Sequence, residues 1–335
     1  MKKRIAINGF GRIGKLSFRS IFNNSDLEIV AINDLSQPES IVYSLKYDSA
    51  QGSYKKDNIS FEKNAIIVDE KRILIFQEKN PQDLPWKDLE IDIVLECTGF
   101  FTSEEKARLH LKSGAKKVLI SAPATGNIKT IVYNVNDNIL TKEDKIISGA
   151  SCTTNCLAPI VKVLHDNFGI NQAFMTTVHS YTNDQSIVDQ NHSKGIWSRR
   201  GRAAAQNIVP SSTGAAKAIG LVIPELKGKI DGTALRIPTL TGSLVDLTVE
   251  LNQEATHEMI NNVIKQNANE TLAYIDDPIV SSDIIGSNYG SLYDANTLQI
   301  LKEKPRFIKL ISWYDNEMSY VNQLVRLLKK IIFMI

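Results

Sequence analysis

Position 152 is a cysteine in a run of small and polar residues, Gly149-Ala150-Ser151-Cys152-Thr153-Thr154-Asn155-Cys156, and Leu157, Ile160, Val161, Leu164 and Phe168 follow at helical spacing. Cys152 therefore sits at a helix entrance. Ser151, Thr153, Thr154 or Asn155 can cap that helix, and its N-terminal field favours a thiolate over a thiol, the form that attacks electrophiles. A strand-like run rich in Met, Thr and Val, from Gln172 to Val178, ends at His179-Ser180-Tyr181-Thr182. An imidazole there, brought close to the thiol, can take its proton and later relay protons to and from a substrate oxygen. His110 and His165 fall within helical patterns and His257 at a helix start, so they suit this task less well.

Competing uses of the cysteines fail on spacing. Three cysteines, at 97, 152 and 156, are an odd number and too sparse for a disulfide framework. Five histidines, none paired with cysteine in a zinc pattern, predict no metal. Cys156, one helical turn beyond Cys152, is expected to face inward and to do no chemistry, and Cys97 to be a packed small residue.

The first third of the chain must supply a partner for that thiol. The β-branched run Arg4 to Asn8 leads into Gly9-Phe10-Gly11-Arg12-Ile13-Gly14 and then into a helical pattern with Ile13, Leu16, Ile21 and Phe22 apolar. Strand, glycine turn and helix entrance form a cradle for a pyrophosphate, because the free amides and the positive end of the helix face the ligand. The second strand, Glu28 to Ile32, ends in Asn33-Asp34, with Asp34 20 residues beyond Gly14. An acid at that spacing accepts hydrogen bonds from the adenosine ribose and repels a 2′-phosphate, so NAD is expected over NADP. Gly9, Gly11, Arg12, Ile13, Gly14 and Asp34 are the candidate cofactor contacts. Further strands at Ile91 to Leu95 and Lys117 to Ile120, with a helix at Glu104 to Lys112 between them, extend a doubly wound sheet. Thr98 and Ser121, at the ends of those strands, are also expected against the dinucleotide.

At 335 residues, 43% of them hydrophobic and 23% charged, the chain predicts two folded domains. A formal net charge of +2 gives no reason to bind nucleic acid or an anionic membrane, so any anion must be met locally. Lys2, Lys3 and Arg4 are followed by only three apolar residues before Asn8-Gly9, which is no secretion signal, and a reducing cytoplasm is expected. The terminal run Ile331 to Ile335 is far short of the ~20 residues that span a bilayer and is expected to be a helix end buried against protein.

The block from Ser151 to Cys156, His179, the segment Ser212-Thr213-Gly214-Ala215-Ala216-Lys217, the run Ala234-Leu235-Arg236-Ile237-Pro238 and the block Trp313-Tyr314-Asp315-Asn316-Glu317 together resemble the glyceraldehyde-3-phosphate dehydrogenases, in order and spacing, from Ile5 to about Leu328. The resemblance implies a Rossmann-type doubly wound α/β domain over 1–150, completed by a C-terminal helix over 317–335, and an α+β catalytic domain with a mainly antiparallel sheet over 151–316. It also implies phosphorylating oxidation of D-glyceraldehyde 3-phosphate to 1,3-bisphosphoglycerate with NAD and inorganic phosphate. Cys152 would add to the aldehyde, hydride would pass to the nicotinamide, and phosphate would release the acyl group from a thioester, with His179 as base. The Cys152 amide is a candidate donor to the oxygen that turns negative. By the same resemblance Thr182 and Arg236 hold the phosphate of the substrate, Ser151, Thr153, Thr213 and Gly214 the incoming phosphate with Arg200 contributing, and Asn316 the nicotinamide carboxamide. A homotetramer is implied as well.

One region departs from the family pattern. Between Asp189 and Ala203 the chain reads Gln-Asn-His-Ser-Lys-Gly-Ile-Trp-Ser-Arg-Arg-Gly-Arg, where many bacterial relatives have a shorter, proline-containing loop. Asn191 stands in place of that proline, and Arg199 or Arg202 competes with Arg200 for the anion. A dehydrogenase for erythrose 4-phosphate, and a binding protein on the same fold without turnover, are the alternative readings.

Overall fold

The computed structural model describes residues 2–334, which form two compact units. The first runs through Ile131, takes up Asp137–Ala150 and closes with the chain from Leu324 onward; the second holds Val132–Asn136 and Ser151–Gln323.

The first unit is built on a nine-stranded sheet in the order Ile59–Glu62, Ala65–Val68, Lys71–Phe76, Leu27–Asn33, Lys3–Asn8, Ile93–Glu96, Lys117–Ile120, Ile146–Ser148, Lys129–Thr130. From Lys71–Phe76 onward every neighbouring pair is parallel, and the first two strands add an antiparallel edge. Apolar residues run without alternation through the central strands because both faces are covered: Ile5, Ala6, Ile7, Ile93, Val94 and Leu95 are all fully buried. The chain extends the sheet on one side of Lys3–Asn8 and then crosses to the other, so its topological switch point lies at the carboxyl ends of Lys3–Asn8 and Ile93–Glu96.

The glycine turn sits at that point. Gly9 has φ +90°, and a Cβ there would stand 2.8 Å from the Thr98 backbone nitrogen. At Gly14 a Cβ would collide with the Gly9 carbonyl oxygen, so the close approach of the helix Arg12–Ile21 to the strand before it requires glycine. Gly14→Ala is expected to destabilise this unit by about 1–3 kcal/mol, as overpacking at a rigid backbone contact does. Urea unfolding of the NAD-free protein checks this, and an unchanged midpoint would contradict it.

The second unit carries a seven-stranded sheet in the order Val209–Ser212, Ile230–Ile237, Ile170–Ser180, Ser243–Leu251, Lys304–Tyr314, Ser291–Leu301, Leu272–Ile275. It is mainly antiparallel; Ile230–Ile237 against Ile170–Ser180 and Leu272–Ile275 against Ser291–Leu301 are the parallel pairs. In Ser243–Leu251 buried residues alternate with half-buried ones, the period of a sheet with one tightly packed face. The helix Cys152–Phe168 packs on four of these strands and buries Leu157, Ala158, Ile160, Val161 and Leu164 completely. The strand expected to end at Val178 continues through Ser180, because the neighbouring strand carries the ladder on, pairing His179 with Arg236 and Ser180 with Ile237.

The last helix, Met318–Ile332, buries Val321, Leu324, Val325 and Leu328 along one face. The terminal apolar run is not all buried, however. Ile331 and Ile332 are, but the helix stops there and Phe333 is 79% exposed, since the side chain after the last turn falls outside the buried stripe; Ile335 lies outside the described residues.

Candidate active site

Cys152 is the first residue of its helix, so its amide is among those the helix leaves without an internal acceptor. Ser151 is the cap: its Oγ accepts the Thr154 amide at 3.1 Å, and no acidic residue in the first turn competes with an anion for the helix end. Cys152 Sγ lies 3.5 Å from His179 Nε2. His179 Nδ1 is 2.7 Å from the Ser180 carbonyl oxygen, which only accepts, so Nδ1 carries the proton and the bare Nε2 faces the thiol. This is the tautomer a base for Cys152 requires.

Charge at the pair differs from the expectation for a helix entrance. Burial pushes the Cys152 thiol up, opposed by the Arg236 charge and by hydrogen bonds to Thr153, while burial and Arg236 push His179 down to about 4. Burial is the largest cause of both shifts and disfavours each charged form, the thiolate and the imidazolium alike. Moving the proton from sulfur to Nε2 creates two opposite charges 3.5 Å apart, and the cost of burial is offset by their attraction.

The parallel register that pairs His179 with Arg236 sets the guanidinium beside the imidazole. Arg236 Nη1 donates to Thr182 Oγ1 at 2.8 Å and lies 3.3 Å from the Ser180 carbonyl oxygen. Its Nε is buried with no hydrogen-bond partner, an orphaned charged donor that an anion would satisfy. Asp184 joins Thr182 to Arg200, each in a short hydrogen bond. Arg202 instead pairs with Asp189 at 2.7 Å. Of the three loop arginines, Arg200 is thus the one tied into the Thr182–Arg236 cluster. Thr213 Oγ1 accepts the Ala215 amide at 3.2 Å, and Gly214 caps the helix Ala215–Val222, which packs against the Cys152 helix.

Tyr314 received no role in the sequence reading. It is fully buried, its hydroxyl sits 2.9 Å from Thr153 Oγ1 and 2.8 Å from Thr177 Oγ1, and its ring meets His179 edge to face at 5.9 Å. Nothing in sequence spacing marks it, because the contacts come from strands far apart in the chain. Asn316, two residues on, is held by its oxygen: Oδ1 accepts the Ser243 hydroxyl at 2.9 Å and the Gly242 amide at 3.2 Å.

In the first unit the Asp34 carboxylate accepts the Phe10 amide at 2.7 Å and the Ser36 amide at 2.9 Å, which ties the second strand end to the glycine turn. Two of its acceptor sites are so used, leaving capacity for hydroxyls. Arg12 grips Asp48 through both terminal nitrogens, at 2.5 and 3.0 Å, and Lys15 adds a third contact at 2.7 Å. Ile13 is half-buried, and Gly11, the residue before the helix, has open space where a Cβ would stand. Thr98 gives both its amide and its hydroxyl to Glu96, so the hydroxyl proton is already committed. Glu96 is buried and also takes Asn8 Nδ2 at 2.5 Å and His110 Nε2 at 3.1 Å, while the Trp86 indole donates to His110 Nδ1 at 3.1 Å. His110 is therefore a structural brace. Ser121 continues the same edge through its amide to the Glu96 carbonyl oxygen at 2.9 Å.

Comparison with known proteins gives one answer at both ends of the chain. Residues 3–104 match the family described as glyceraldehyde 3-phosphate dehydrogenase, NAD binding domain, and residues 151–316 the C-terminal domain of the same family. The chain is 54% identical over 327 residues to a glyceraldehyde-3-phosphate dehydrogenase of Clostridium pasteurianum and 53% over 326 residues to that of Clostridium acetobutylicum, covering 97% of each chain. It is 49% identical over 331 residues to that of Streptococcus pyogenes, covering 98% of both. The chain belongs to the glyceraldehyde-3-phosphate dehydrogenase family.

It is accordingly an NAD-dependent oxidoreductase with a Rossmann-type NAD-binding domain and a catalytic domain. The residues present fit the dinucleotide: an uncapped helix start, Gly9 pressed against Thr98 and open space at Gly11 are what a pyrophosphate against backbone amides requires. Cys152, His179, Arg236, Tyr314 and Asn316 all fall within the C-terminal match, and the glycine turn, Asp34 and Thr98 within the NAD-binding match, whereas Ser121 lies outside both. Among the described residues no helix is long and apolar enough to cross a membrane.

Proposed function

We propose that this chain oxidises D-glyceraldehyde 3-phosphate, with NAD and inorganic phosphate, to 1,3-bisphosphoglycerate in glycolysis. The observation that carries the reading is the Cys152 thiol 3.5 Å from a His179 whose bare nitrogen faces it, beside the orphaned Arg236 donor. Nε2 takes the thiol proton as sulfur adds to the aldehyde carbon, and the helix-end amide of Cys152 receives the developing oxyanion. Bound NAD supplies the two-electron acceptor that turns the hemithioacetal into a thioester. The imidazolium first returns its proton to the new oxyanion, so that Nε2 is free again to take the hydroxyl proton as hydride leaves the carbon. Phosphate then attacks the thioester carbon, the carbon–sulfur bond breaks, and the sulfur leaves as the thiolate.

Thr182 and Arg236 hold the substrate phosphate, with Arg200 tied to them through Asp184, and Ser151, Thr153, Thr213 and Gly214 the attacking phosphate. Gly9, Gly11, Arg12, Ile13, Gly14, Asp34, Thr98 and Ser121 serve the dinucleotide, and Asn316 offers its Nδ2 to the nicotinamide carboxamide. The negative charge of Asp34 selects NAD by repelling a 2′-phosphate. We place the NAD-binding domain at 1–150 with 317–335, the catalytic domain at 151–316, and the enzyme in the cytoplasm as a homotetramer. The exposed apolar residues Ile187, Val188, Ile196 and Trp197, the last 91% exposed, support burial of their loop by another subunit.

Mixing enzyme, NAD and aldehyde without phosphate should give a burst of NADH matching the Cys152 content, and added phosphate should then start steady turnover. A burst absent, or turnover indifferent to phosphate, would overturn the thioester route. A greater rate with erythrose 4-phosphate at equal concentration would overturn the substrate.

A further inference from the structure

We propose that Ser243 is a positioning residue whose single hydroxyl sets both the base and the amide that meets the nicotinamide. The proposal rests on the roles given above to His179 and Asn316. Ser243 begins the strand Ser243–Leu251, opposite Tyr314 in the ladder, and is 1% exposed. Its Oγ lies 3.1 Å from the Ser180 amide nitrogen, which only donates, so the oxygen accepts there. The Ser243 proton is then free for Asn316 Oδ1 at 2.9 Å. One chain of hydrogen bonds thus runs from His179 Nδ1 to the Ser180 carbonyl oxygen, and from the Ser180 amide through Ser243 to Asn316.

No neighbouring side chain stands ready to replace it. Thr241 Oγ1 is 3.3 Å from Asn316 Oδ1 but only 2.7 Å from the Asp315 carboxylate, which takes its one proton. The Ser180 hydroxyl lies 3.0 Å from the Gly242 carbonyl oxygen and 2.9 Å from Thr239 Oγ1, so it is engaged away from Asn316. With its oxygen pinned, Asn316 must present Nδ2 outward, and Nδ2 has no partner among the described residues. An amide turned over would offer an acceptor where a carboxamide oxygen needs a donor. Losing the Ser243 hydroxyl would leave Asn316 on the 3.2 Å bond from Gly242 alone and strand the buried Ser180 amide, the anchor of the residue on which the imidazole hangs.

The test compares Ser243→Ala and Ser243→Thr with Asn316→Ala and the parent enzyme. Two measurements need no turnover: affinities for NAD and for ADP-ribose, which lacks the nicotinamide, and the pH profile of iodoacetamide alkylation of Cys152 in the NAD-free enzyme. Ser243→Ala should weaken NAD about tenfold, the loss expected for one buried hydrogen bond, with ADP-ribose unchanged and slower alkylation at neutral pH. Ser243→Thr, which keeps the hydroxyl, should restore both. If Asn316→Ala selectively loses NAD while Ser243→Ala matches the parent, Ser243 has no such role and the reading of Asn316 stands. If Asn316→Ala leaves NAD affinity intact, that reading falls. Equal weakening of NAD and ADP-ribose in Ser243→Ala would make its effect a general loss of structure and overturn the proposal.

Discussion

Cys152→Ser should lose phosphorylating turnover by a factor on the order of 10⁴ or more, with NAD affinity retained. The serine hydroxyl is far less acidic than the thiol, and a neutral His179 in a buried setting has little driving force to take its proton. Any acyl-enzyme formed would be an oxygen ester, from which the serine alkoxide leaves far less readily than a thiolate when phosphate attacks. Steady-state NADH production and stopped-flow burst amplitude both report the loss. Substantial turnover by the serine variant would show that the sulfur is not the site of acyl transfer.

His179→Asn should lower kcat by about 10²–10⁴-fold, the range for removing a positioned general base. It should also change how Cys152 titrates. With the imidazole present, the proton passes to a nitrogen 3.5 Å from the sulfur and the thiolate is born beside a cation; without it, the thiol must ionise alone where burial already raises its pKa. The alkylation rate of the variant at neutral pH should fall and its midpoint move to higher pH than in the parent. Stability responds too. An unfolded histidine takes a proton near its ordinary value of 6.5, whereas folded His179 resists until about 4. Between those values the unfolded state binds more protons, so this group's contribution to stability is present above the window and is lost as the pH falls through it. His179→Asn removes that dependence, and urea midpoints compared at pH 7 and pH 4.5 should show a smaller acid loss in the variant. Equal losses would mean His179 is not buried neutral.

The glycine turn and Asp34 were legible because they depend on local backbone: where glycine must stand, which end of a helix is open and how far away the second strand ends. The Cys152 helix was legible for the same reason, from a capping residue followed by apolar residues at helical spacing. Its charge state was not. Position at a helix start argues for a thiolate, and burial, a property of the packed domain, reverses the direction. The strand through His179 outruns its sequence pattern by two residues at each end, and at the carboxyl end what carries it onward is pairing with Arg236 and Ile237, more than fifty residues away.

Sequence alone therefore picked out the cradle, the candidate nucleophile, the candidate base and the family, all of which rest on runs of neighbouring residues. Tertiary structure decided which residues meet. It brought Cys152 to the bare nitrogen of His179, chose Arg200 over Arg199 and Arg202 for the Thr182–Arg236 cluster, and set Tyr314 and Ser243 behind the site. These contacts follow from strand register, loop pairing and desolvation, which act between residues 16 to 161 apart, and no local pattern encodes them.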